Sequence, residues 1–143
     1  MRRSRPVALA SAWLLAGVLA APAVAQTLEV PAPSPKAKIE QRVGVTDFSV
    51  EYSSPGVKGR SIWGSLVPYG ELWRTGANAA TKLTASKDFT FGDKSVPAGT
   101  YSLFTIPGAS SWTVILNKKA DLGGTNGYDE KEDAARITVR PES

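Results

Sequence analysis

Along much of the chain, apolar and polar residues alternate with the period of two that belongs to β-strands. Val43 and Val45, then Phe48, Val50 and Tyr52, alternate with polar neighbours, and Thr46-Asp47 breaks the phase. This predicts a strand over residues 43–52 carrying a bulge or kink. The pattern returns over residues 81–86 and 89–91, then after a Gly92-Asp93 turn at Ser95-Val96, and after a Pro97-Ala98-Gly99 turn over residues 100–106. Pro107-Gly108 separates that last stretch from a strand over residues 112–117. In residues 100–106 both alternating sets carry apolar groups (Tyr101 and Leu103 on one side, Phe104 and Ile106 on the other), which marks a strand covered on both faces. The spacing predicts an antiparallel, sandwich-like sheet in a mainly β chain. Residues 129–136 have helical composition, and residues 137–140 read as a short last strand stopped by Pro141.

Residues 53–80 break the rhythm. Five glycines (Gly56, Gly59, Gly64, Gly70, Gly76) and two prolines (Pro55, Pro68) are interleaved with Ile62, Trp63, Leu66, Val67, Tyr69, Leu72 and Trp73. A solvated linker is not this aromatic, so the segment is expected to form a long loop packed against the sheet, with short helical turns over residues 62–66 and 71–75. Ordered loops of this kind often carry function.

The N-terminus has a different character. Met1-Arg2-Arg3-Ser4-Arg5 is basic, residues 7–18 are apolar apart from Ser11 and Gly17, and Ala23-Val24-Ala25 places small residues at the two cleavage-pocket positions. That order predicts an export signal over residues 1–25, cut between Ala25 and Gln26 by way of the general secretory route. Without an acylatable cysteine the product is expected to be soluble in the periplasm or the medium, touching the membrane only through the uncleaved signal. Three prolines (Pro31, Pro33, Pro35) make residues 26–38 an extended tether, and residues 39–143 form one β domain.

The formal charge of +4 falls to +1 once the three leader arginines are set aside, so a nucleic-acid partner has no electrostatic motive. Histidine and cysteine are both absent. Their absence removes Ser-His-Asp and Cys-His catalysis, ordinary zinc and copper sites and disulfide stapling. No glycine-rich phosphate loop occurs, and no cofactor or resident metal is expected.

The loop and the strands after it carry long ordered motifs: Gly59-Arg60-Ser61-Ile62-Trp63-Gly64, then Leu66-Val67-Pro68-Tyr69-Gly70-Glu71-Leu72-Trp73-Arg74-Thr75-Gly76-Ala77-Asn78. Pro97-Ala98-Gly99-Thr100-Tyr101-Ser102-Leu103-Phe104-Thr105-Ile106-Pro107-Gly108 and Trp112-Thr113-Val114-Ile115-Leu116-Asn117 follow. Together these resemble the bacterial secreted family known as domain of unknown function 2911, from about Ile39 to Pro141. The resemblance implies an exported β-sandwich-like domain without an assigned activity. It also implies further C-terminal strands beyond residues 137–140, so that this chain either lacks them, with an open sheet edge and a route to homo-oligomers, or closes its domain differently.

The richest cluster of chemistry is Tyr69, Glu71, Trp73, Arg74 and Asn78, with Arg60 close by in sequence. An acid, a forked cation, an amide and amphipathic aromatics are the groups that hold sugars or carboxylates. The same residues also have structural uses: Glu71 and Arg74 at helical i,i+3 spacing, Asn78 on loop backbone, Trp63 and Trp73 as packing anchors. The acidic run Asp121, Asp129, Glu130, Glu132 and Asp133 fits a calcium loop poorly, because Gly123 and Asn126 stand where ligands and the turn glycine belong. Three functions follow: a non-catalytic module binding a small polar ligand, glycan or envelope partner; a glycan hydrolase using Glu71 and a second carboxylate; and an assembly module completed by a partner strand.

Overall fold

The computed structural model describes residues 30–142. The predicted signal over residues 1–25, its cleavage point and the first residues of the tether lie outside the described residues.

The chain is mainly β. Among the described residues eight strands follow in order: β1 Lys36–Val43, β2 Thr46–Ser53, β3 Thr81–Ala85, β4 Phe89–Phe91, β5 Lys94–Val96, β6 Gly99–Ile106, β7 Trp112–Asn117 and β8 Asp133–Val139. Six of them make one antiparallel sheet in the order β1-β2-β3-β6-β7-β8, and β4 pairs with β5 in a small second sheet. The expected sandwich thus has one wide layer and one narrow one.

Because Leu103 pairs with Leu116 and Phe104 with Ile115, successive residues of β6 send side chains to opposite faces. On one face Tyr101 and Leu116 join Val96 and Ala135, with Phe89 and Phe91 of the small sheet packed over them. On the other, Phe104 and Ile115 meet Ala80, Leu72, Leu122 and Tyr128. Phe104, Ile115 and Leu116 are fully buried. A residue of that size contributes about 1.5–3 kcal/mol by leaving water, so these strands anchor the fold.

A buried polar network pins the segment that covers the second face. The Asp133 carboxylate accepts from Asn117 Nδ2 (2.7 Å), the Tyr128 hydroxyl (2.8 Å) and Arg136 Nε (2.9 Å). Asn117 Nδ2 also donates to the Asp129 carbonyl (2.9 Å), and Asn117 Oδ1 accepts from the Lys119 N–H (3.0 Å). Every strong group here has a partner, as burial demands.

Four sequence-based expectations change. The phase break expected at Thr46-Asp47 marks the start of a second strand rather than a bulge in one: the chain reverses at Gly44-Val45, where Val43 pairs with Thr46 and Gly44 sits at φ +60°. β1 starts at Lys36, inside the stretch read as tether. The segment with helical composition holds only a 3-10 turn, Glu130–Glu132, capped by the Asp129 side chain, which accepts from the Lys131 N–H, after which β8 runs to Val139. Ala135 and Ile137 pair with Leu116 and Val114, so sheet contacts override helix propensity. Finally, residues 62–66 and 71–75 form turns and bridges rather than helices.

Candidate functional site

The long loop docks on the sheet through Trp73. Its N–H donates to the Thr105 carbonyl (2.7 Å) and its carbonyl accepts from the Thr105 N–H (2.9 Å), which extends β6 beyond β3 by one antiparallel bridge. The Gly70 N–H adds a bond to the Pro107 carbonyl (2.8 Å). Strand alternation then sends Leu72 to the core beneath the sheet and the Trp73 indole to the opposite face.

There Trp73 meets two other indoles. Trp63 lies edge-to-face on Trp73, with ring centroids 5.5 Å apart, and on Trp112, the first residue of β7, at 4.7 Å. Trp73 and Trp112 are themselves 6.5 Å apart at 80°. Each such contact adds about 0.5–1.5 kcal/mol beyond the area it buries. Trp63 is carried by a tight turn in which the Val67 N–H bonds to the Ile62 carbonyl (2.8 Å) and the Gly64 N–H to the Val67 carbonyl (2.9 Å). Gly64 is required here: it adopts φ +74°, and an added Cβ would stand 2.9 Å from the Tyr69 ring, which lies over it.

The outer surface of this cluster is open. Trp63 is 45% exposed, Tyr69 47% and Leu66 53%. Single exposed apolar residues are ordinary, but three on one short loop beside two further tryptophans form an aromatic patch.

The other predicted site residues are used elsewhere. Arg60 turns back on its own loop, donating to the carbonyls of Val57 (3.0 Å) and Gly56 (2.7 Å). Asn78, at φ +61°, donates to Ser53 Oγ (3.3 Å) and ties the loop to the end of β2. Glu71 is exposed, and among the described residues the Glu71–Arg74 pair suggested by their spacing does not form. Arg74 Nε is buried without a hydrogen-bond partner. Of the six residues proposed from sequence, Tyr69 and Trp73 come together through the Trp63–Gly64 turn, whereas Arg60 and Asn78 hold separate parts of the loop. Trp63 and Trp112 were not singled out as binding residues; the signal for Trp63 is a large aromatic beside a glycine in an irregular segment.

Among the described residues no group of acids is arranged to hold a metal ion. Cations take up much of the acidic run: Asp121 pairs with Lys82 (2.5 Å), while Glu130 (3.2 Å) and Asp133 (2.9 Å) share Arg136.

Comparison with known proteins finds no match among curated proteins and none among solved structures. A family model described as protein of unknown function (DUF2911) matches residues 34–143, the whole sheet and the loop that carries the indole cluster. The chain therefore belongs to the DUF2911 family of proteins of unknown function.

Proposed function

We propose that the protein is an exported, non-catalytic binding module whose ligand-facing surface is the aromatic patch of Trp63, Trp73, Trp112 and Tyr69. The observation that carries this reading is the exposure of Trp63 on top of two indoles that already pack against one another. Flat aromatic surfaces with polar edges favour the C–H faces of sugar rings, so a glycan is the ligand class of choice. Action outside the cytoplasm rests on the basic, apolar and small-residue order of residues 1–25. Glu71, on which the hydrolase alternative rests, is exposed and forms no ion pair among the described residues.

The test is a titration of the protein with cell-wall fragments and simple oligosaccharides, followed by tryptophan fluorescence and by the shift in thermal midpoint. One glycan class is expected to change both signals, and Trp63→Ala to abolish the change while the protein still melts cooperatively. No response to any glycan, or an unchanged response in Trp63→Ala, would rule the reading out.

A further inference from the structure

We propose that two copies of this chain associate by antiparallel pairing of their β1 strands, about a two-fold axis through Gln41. This inference rests on the sheet edge alone and stands apart from the glycan-binding proposal.

β1 is an end strand of the six-stranded sheet, and among the described residues nothing pairs with its outer side. It is regular along its whole length, in register with β2 from Lys36–Ser53 to Val43–Thr46, and it contains neither a bulge nor a proline. Edge strands usually carry such blunting features; β1 carries charges instead, Lys36, Lys38, Glu40 and Arg42, and these restrict the register in which a second copy can pair.

The ladder fixes which residues face outward. The Ser54 N–H bonds to the Pro35 carbonyl (2.9 Å), one step beyond the Lys36–Ser53 pair. Hydrogen-bonded pairs alternate in an antiparallel ladder, so the odd-numbered residues of β1 bond inward to β2. Lys36, Lys38, Glu40 and Arg42 then direct their N–H and C=O groups outward. A second copy must pair these even-numbered residues with one another.

Side-chain chemistry selects the register. Centred on Gln41, Glu40 of each copy stands opposite Arg42 of the other, twice over, and Ile39 stands opposite Val43, also twice. Ile39 is 55% exposed and Val43 59%, and both sit on the same face of the sheet. Arg42 already pairs with Asp47 (3.1 Å). The incoming Glu40 would make that cation a bridge between two carboxylates. The register centred on Glu40 sets Glu40 against Glu40 and Lys38 against Arg42, and the one centred on Ile39 offsets its Lys38–Glu40 pairs with Lys36 against Arg42, so like-charge contact disfavours both relative to Gln41.

The chain has no cysteine, so one introduced thiol reports on one position. At the Gln41 centre the two Cα atoms would be about 4.5 Å apart, within disulfide reach. Gln41→Cys should therefore cross-link spontaneously in protein produced from the full-length chain, and Thr138→Cys on β8 should not. Sedimentation at rising concentration should give the mass of a dimer. Arg42→Glu should weaken dimerisation roughly tenfold, since two attractive pairs become repulsive. The double variant Glu40→Arg with Arg42→Glu should restore it. A protein that stays monomeric up to high concentration overturns the proposal. So does a dimer that cross-links as fast through Thr138→Cys, or one that the charge swap fails to rescue.

Discussion

The β6–β7 pair and the β1–β2 hairpin are both antiparallel ladders of alternating residues, yet they are buried in opposite ways. Ser102, Phe104, Ile115, Leu116 and Asn117 are all fully buried, while almost every residue of β1 is exposed. The strands themselves do not cause the difference. β6 and β7 lie in the middle of the sheet with the β4–β5 hairpin over one face and the segment around Leu122 and Tyr128 over the other. β1 has β2 on one side and no covering layer among the described residues. The stability of a small disulfide-free domain is concentrated where two covers meet, and its edge remains available for contact.

The comparison breaks most sharply at Phe104. Replacing it with alanine removes a fully buried ring from the lower core and leaves a cavity between Ala80, Ile115 and Tyr128, at a cost of about 3–5 kcal/mol. Urea unfolding of Phe104→Ala should show a midpoint collapse with little change in slope. A loss under about 1 kcal/mol would mean that the core lies elsewhere.

Asp133→Ala comes next. The change removes one acceptor from each of Asn117 Nδ2, the Tyr128 hydroxyl and Arg136 Nε, and Asn117, left with only the Asp129 carbonyl for its amide N–H groups, is wholly buried. A cost of about 2–3 kcal/mol is expected, in the range for unsatisfied buried groups. Hydrogen exchange should localise the damage to residues 118–132, the cover of the lower face.

A smaller effect tests the upper cover. Gly92 turns β4 into β5 at φ +63°, and a Cβ there would stand 2.7 Å from Ile137 Cγ2 on β8. Gly92→Ala is expected to cost about 1–2 kcal/mol through backbone strain and that clash. A neutral result would show that the small sheet floats over β8 rather than packing on it.

The same contrast explains how much the sequence revealed. β6 and β7 were legible because double coverage forces apolar groups onto both alternating sets, and β7 falls on the residues predicted for it. The β1–β2 turn was hidden: Val45, a poor turn residue, continues the apolar alternation, and only the Gly44 backbone marks the reversal. Residues 133–136 offer helix-forming Ala134, Ala135 and Arg136, and nothing local announces that Leu116 and Ile115 will pair with them. For the loop, its packing was legible from its aromatics, but the convergence of Trp63, Trp73 and Trp112 was not. That depends on the bridge from Trp73 to Thr105, a contact between segments with three intervening strands between them in sequence.

The smallest effect belongs to the exposed hairpin and is the most informative about it. Ile39→Thr keeps a β-branched side chain, so strand preference is nearly unchanged, and it replaces a residue that is largely in water already. Measured at concentrations too low for association, the substitution should shift unfolding by no more than about 0.5 kcal/mol, the range of surface changes without special contacts. At high concentration the same variant should lose stability relative to the parent, because Ile39 would then face Val43 of a second copy and mass action would add the association energy to the parent alone. A cost above about 1.5 kcal/mol at low concentration would instead place Ile39 in a core, and the picture of a buried centre with an open edge would have to be redrawn.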